Sequence, residues 1–188
     1  MQKLHLMKMN RHSIIYITKF LLLFSLLYYG TFFFIGITAK GGIYIEWLDK
    51  YFNYVRWLRN LLLYGSKLIV ELLGYTATIK NAYNVQINNT NSVVLVYNCL
   101  GYGVISYWIA FIVTNNGSIK FKLIWLMAGI IGITLSNMIR IAVILIAVYS
   151  KWKLSFNIEH HAFYNILSYG IIILLSLTYL KQLKTKNS

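Results

Sequence analysis

The sequence predicts an all-α, multi-pass transmembrane helical bundle with a short extracytoplasmic β-hairpin-like segment ahead of Cys99. Three observations predict it. Of 188 residues, 59% are hydrophobic and only 12% are Asp, Glu, Lys or Arg. Several apolar runs reach the roughly 18 to 20 residues that cross a hydrocarbon core. Between Thr76 and Ser92 the pattern changes to period-two alternation around an Asn-rich turn. Such a segment belongs outside the hydrocarbon, where an open sheet edge can find hydrogen-bond partners. The length is that of one domain, 1–188, with an N-terminal span and amphipathic helix in 1–75, an extracytoplasmic segment in 76–98 and further helices in 99–188.

Residues 1–12 carry Lys3, Lys8 and Arg11 ahead of an apolar stretch. The run from Phe20 to Ile37 is longer than a signal-peptide core and no small-residue cleavage site follows, so it reads as an uncleaved span with a cytoplasmic N-terminus. Gly41-Gly42 breaks it. From Tyr51 to Gly74 apolar residues recur at helical spacing, and Lys67 and Glu71 stand four apart on one face. That helix either lies in the interface or crosses shielded by its neighbours.

Val85 and Ile87, then Asn88-Asn89-Thr90-Asn91, then Val93 and Leu95 predict a hairpin. A helix from about Leu100 to Thr114 follows, then a loop with Lys120 and Lys122, a long helix to Tyr149, and a final helix from about His161 to Leu180 with a basic tail. The net charge of +14 sits mostly in tails and short loops. That placement suits loops at an anionic cytoplasmic membrane surface and argues against a nucleic-acid groove, so the expected partner is the lipid bilayer; abundant Asn, Ile, Lys and Tyr with no proline fit an AT-rich bacterial genome, and the expected location is then a bacterial inner membrane.

Three sites depart from this apolar background. Cys99, the only cysteine, lies in Tyr97-Asn98-Cys99-Leu100-Gly101, and so forms no intrachain disulfide. Arg140 ends Ser136-Asn137-Met138-Ile139-Arg140 inside the apolar run from Leu123 to Tyr149; an intramembrane arginine must face protein or water. Asn137, one turn earlier, and Ser136, four residues earlier, are each placed to orient it, and helix-packing polarity accounts for both equally well. His160 and His161 open the last run. Cys99 is 21 residues before Lys120, Arg140 is 18 after Lys122 and His161 is 20 before Lys181. At about 1.5 Å per residue these are roughly 31, 27 and 30 Å, against a core of roughly 30 Å, so all three come out level near the outer face.

A thiolate is a strong nucleophile, and both a nearby cation and a helix N-terminus favour it. A histidine serves as base toward the thiol and acid toward a leaving amine, and an arginine holds an oxyanion where water is scarce. The expected chemistry is acyl transfer through a thioester, with no metal and no other cofactor. Two other readings stay open: a non-enzymatic scaffold or transport subunit with Arg140 as a counter-ion or anion site, and a metal site formed by Cys99, Glu159, His160 and His161.

Asn98-Cys99-Leu100-Gly101, Asn137-Met138-Ile139-Arg140 and His160-His161, in that order and spacing, resemble the motifs of the exosortase/archaeosortase enzymes. The resemblance covers roughly residues 90–180 and looks closest to the short members associated with Bacteroidetes-type bacteria. It implies a cysteine transpeptidase-like protease that cleaves a C-terminal sorting signal (short motif, transmembrane helix, basic tail) from exported proteins, and passes the acyl group to an acceptor. Carried over, Cys99 is the nucleophile, Arg140 the stabilising arginine and His161 the base, with Asn98, Asn137 and His160 in support. Asn165 follows His161 by four, as in the family, whereas Tyr164 follows His160.

Overall fold

Phe20, Phe24, Tyr28 and Phe32 stand four apart, so a helix stacks them along one face. They do so in helix α1, Gln2–Thr38, of the computed structural model, which describes residues 2–88, 92–151 and 160–187. Successive rings lie 6.2, 5.7 and 5.2 Å apart. This aromatic ladder packs on helix α4, Tyr102–Thr114, through Phe20 with Tyr107 at 5.5 Å and Phe32 with Tyr102 at 5.4 Å. Leu22, Leu26 and Phe33 point outward.

After α1 come α2, Glu46–Phe52, and α3, Tyr54–Leu72. Asn53 caps α3, its side chain accepting from the Arg56 N–H at 2.8 Å. The buried face of α3 is Val55, Arg59, Leu62, Leu63, Ser66 and Val70, a three-four spacing that sets one stripe against the core. Lys67 and Glu71 pair at 3.6 Å on the outside, as their spacing predicts. The 51–74 stretch is therefore divided at Asn53: Tyr51 and Phe52 end α2, and the amphipathic helix is α3, which packs against α5.

The expected hairpin is present as β2, Asn84–Ile87, and β3, Ser92–Val94, with Val85 opposite Val93. Sequence alternation did not separate out a further strand, β1, Ala77–Asn81, which pairs antiparallel with β2 and completes a three-stranded sheet in the order β1-β2-β3. On central β2, Val85 and Ile87 share one face and are buried in the core, while Gln86, on the other face, is buried with its amide donating to the Thr78 hydroxyl at 3.1 Å.

Residues Tyr97–Leu100 form a 3-10 turn, and Gly101, at φ +76, separates it from α4. The helix therefore opens at Tyr102, not at Leu100 as the apolar pattern suggested. Helix α5, Ile119–Tyr149, and helix α6, His160–Asn187, complete the chain. Among the described residues two segments are long and apolar enough to cross a bilayer, Ser13–Thr38 and Ile119–Tyr149; α4 is shorter. Threonine hydroxyls inside these helices donate back to carbonyls four residues earlier, Thr31 to Leu27 at 2.9 Å and Thr134 to Ile130 at 2.7 Å, so they carry no unsatisfied polarity.

Two apolar cores are stacked along the molecule. One gathers Leu62, Val85, Ile87, Leu100, Ala142 and Leu145 beneath the sheet. The other gathers Trp108, Phe111, Ile112, Ile133, Ile172 and Tyr179 between α4, α5 and α6. At the far end of the second core Asn115 donates to the Tyr16 hydroxyl at 3.1 Å and Tyr179 to the Asn116 carbonyl at 3.2 Å. Lysines 19, 120, 122, 181 and 184 flank these contacts in sequence.

Candidate functional site

Gly101 is the hinge of the site. Its positive φ is a conformation glycine adopts without penalty, and it turns the chain from the 3-10 turn into α4. A side chain here would also meet Asn137, whose Nδ2 lies 3.1 Å from where a Cβ would stand. That Nδ2 donates to the Cys99 carbonyl at 2.9 Å. Two of the three motifs singled out by sequence are thus joined by a direct hydrogen bond between residues 38 apart in the chain.

Arg140 follows Asn137 by one turn of α5. With Gly101, Gly103, Tyr28, Tyr102 and Tyr169 it lines a cavity of about 770 Å³ between α1, α4, α5 and α6. Ser136 and Asn137 line a smaller gap of about 30 Å³ on its other side. Among the described residues Arg140 has no carboxylate partner, and its buried Nε has no hydrogen-bond partner. A charge so placed suits a ligand anion or a developing oxyanion.

Cys99 is a free, half-buried thiol. It lies in the 3-10 turn, so the α4 dipole begins three residues beyond it, at Tyr102. The level of Cys99 also has a different origin from the helix count. The 21-residue interval to Lys120 includes the loop at 115–118, and the 13 residues of α4 rise only about 20 Å. The bond to Asn137 sets its height directly. Arg140, 18 positions beyond Lys122 on continuous α5, keeps its rise of about 27 Å.

His160 and His161 open α6, as the apolar pattern predicted. Their side chains, that of Asn98 and the whole of Glu159 lie outside the described residues. Among the described residues no three His, Cys, Asp or Glu side chains gather as a metal site would require.

A second polar cluster lies beside Cys99 and escaped the sequence reading. Arg59, from α3, is buried with its guanidinium 4.1 Å from the centre of the Tyr83 ring. Burial, then the neighbouring Tyr83, push the Tyr97 hydroxyl above its ordinary value, while Arg59 pulls the other way. The available signal was periodicity: Val55, Arg59, Leu62 and Leu63 fall on one helical stripe, which puts a charge in the buried row. No protein-family model, curated protein or solved structure matches the chain. The likeness to exosortases therefore rests on the three short motifs.

Proposed function

We propose that the protein is a membrane-embedded cysteine transpeptidase or protease that cleaves C-terminal sorting signals from exported proteins at the outer face of a bacterial inner membrane. The observation that carries this reading is the Asn137 bond to the Cys99 carbonyl. It ties the nucleophile's turn to the helix that presents Arg140 to the large cavity. Helices α1, α4, α5 and α6 are read as the spans. The basic residues around Asn115 and Tyr179 then face the cytoplasm.

In the proposed reaction His161 accepts the Cys99 proton and the thiolate attacks the scissile carbonyl carbon. The carbonyl electron pair moves to oxygen, where Arg140 donates hydrogen bonds. Collapse breaks the C–N bond, the amine leaves with the proton from His161, and a thioester remains on Cys99. An acceptor nucleophile then attacks the thioester and regenerates the thiol.

The test is co-expression with a candidate substrate bearing a short motif, an apolar helix and a basic tail. Cys99→Ala, Arg140→Ala and His161→Ala should each abolish processing, and wild type should accumulate a Cys99 thioester detectable by hydroxylamine release. Processing by Cys99→Ala would remove the nucleophile from the scheme. The unpartnered Arg140 Nε also fits a transport or scaffold subunit with an anion site. That reading gains if all three variants match wild type.

A further inference from the structure

We infer that the cavity between the end of α1, α2, α3 and the sheet holds the phosphate group of a membrane lipid. The cavity is about 430 Å³ and is lined by Lys40, Asp49, Asn53, Arg56, Arg59 and Tyr97 among others. Three cations face one carboxylate, and that carboxylate is fully engaged. Asp49 accepts from Asn53 at 2.7 Å and from Arg56 on one oxygen, and from the Tyr44 hydroxyl at 2.9 Å on the other.

Arg59 and Lys40 are left without a carboxylate among the described residues. Arg59 is only 6% exposed. Its buried Nε has no hydrogen-bond partner among the described residues. The Tyr83 ring and the Tyr97 hydroxyl beside Arg59 supply no countercharge, and a buried charge without one is costly, so a bound anion completes the site.

Height selects the anion. Ser13–Thr38 is 26 residues, a rise of about 39 Å against a hydrocarbon core of roughly 30 Å, so Thr38 and Lys40 stand at headgroup level. Helix α2 has no buried residues and exposes Trp47, Tyr51 and Phe52, the side chains that settle at a membrane interface. Phosphates are the anions that populate this layer, and guanidinium and ammonium groups are their usual partners. The inference needs α1 to span the bilayer but needs nothing of the chemistry at Cys99.

The experiment uses the purified full chain in neutral detergent, titrated with dioleoylphosphatidylglycerol, with dioleoylphosphatidylcholine or with inorganic phosphate alone. Lipid retention is read by native mass spectrometry and apparent Tm by thermal unfolding. Wild type should bind one phosphatidylglycerol saturably with a rise in apparent Tm. Arg59→Gln should weaken binding at least about tenfold and Lys40→Gln severalfold. Lys50→Gln, on exposed α2 outside the cavity, should match wild type. Should Arg59→Gln fail to fold, the exposed Lys40→Gln carries the comparison. Equal loss in Lys50→Gln would reduce the effect to general surface charge and overturn the site. So would an equal response to inorganic phosphate, or saturable binding of neither phosphatidylglycerol nor phosphatidylcholine.

Discussion

Gly101 and Asn137 hold the candidate site in register, and each can be tested singly. Gly101→Ala places a Cβ at positive φ and 3.1 Å from Asn137 Nδ2. The backbone alone should cost about 1–2 kcal/mol. Under the proposed function, processing should fall further than the stability loss alone accounts for, because the displaced side chain is the one bonded to the Cys99 turn. Asn137→Ala removes that bond, for a stability loss of about 1 kcal/mol by thermal unfolding. Under the proposed function, its effect on turnover should exceed its effect on substrate capture. Asp49 provides a pH test. Burial pushes its carboxyl upward, but hydrogen bonds from Asn53, Tyr44 and Arg56 together with the Arg56 charge hold it below the usual range. A depressed folded value means stability that is present above about pH 4, the unfolded carboxyl range, and lost as pH falls through the folded value. Apparent Tm should therefore fall on acidification below about pH 4, and Asp49→Asn should flatten that fall.

Among the elements, α5 is the one whose packing is most demanding. A Cβ on Gly129 would stand 1.9 Å from Trp108 Nε1, which donates to the Trp125 carbonyl at 3.2 Å, whereas a Cβ on Gly132, less than one turn later, meets nothing within 4 Å. Gly129→Ala should lower stability by about 1–3 kcal/mol through overpacking, and Gly132→Ala should be neutral or slightly stabilising. Thermal unfolding of the two variants side by side reads the difference. If they behave alike, the α4–α5 contact at Trp108 is looser than its geometry implies. The same helix shows why an apolar run misleads about membrane depth. Its 31 residues rise about 46 Å, more than a hydrocarbon core. Ile141, Ala142 and Leu145 near its end lie in the core beneath α3 and the sheet. Ile133 belongs to the other core and Met138 already to this one, so α5 passes between them around Asn137, one turn before Arg140. Leu123 to Tyr149 reads in sequence as one uninterrupted stretch, because protein interior and lipid select the same side chains.

For the whole molecule, the single thiol makes topology directly measurable. In oriented cells a membrane-impermeant maleimide should label Cys99 from the outside. A cysteine introduced at exposed Asn116, in a Cys99→Ser background, should react only after the inner membrane is opened. Labelling of both from the same side would overturn the proposed arrangement of spans.

The amino-acid order alone determined the helical character, the β2–β3 hairpin, the Lys67–Glu71 pair and the exceptional status of Cys99, Asn137 and Arg140. These follow from periodicity and from the cost of polar groups in apolar runs, both of which are local. It did not determine that β1 joins the sheet, that Gly101 holds Cys99 out of α4, or that Arg59 is buried against Tyr83. Nor did it show that the Asn137 side chain reaches across 38 residues of chain to the Cys99 carbonyl. Those outcomes depend on which helix faces meet, and only the packing of α3, α4 and the sheet around α5 decides that.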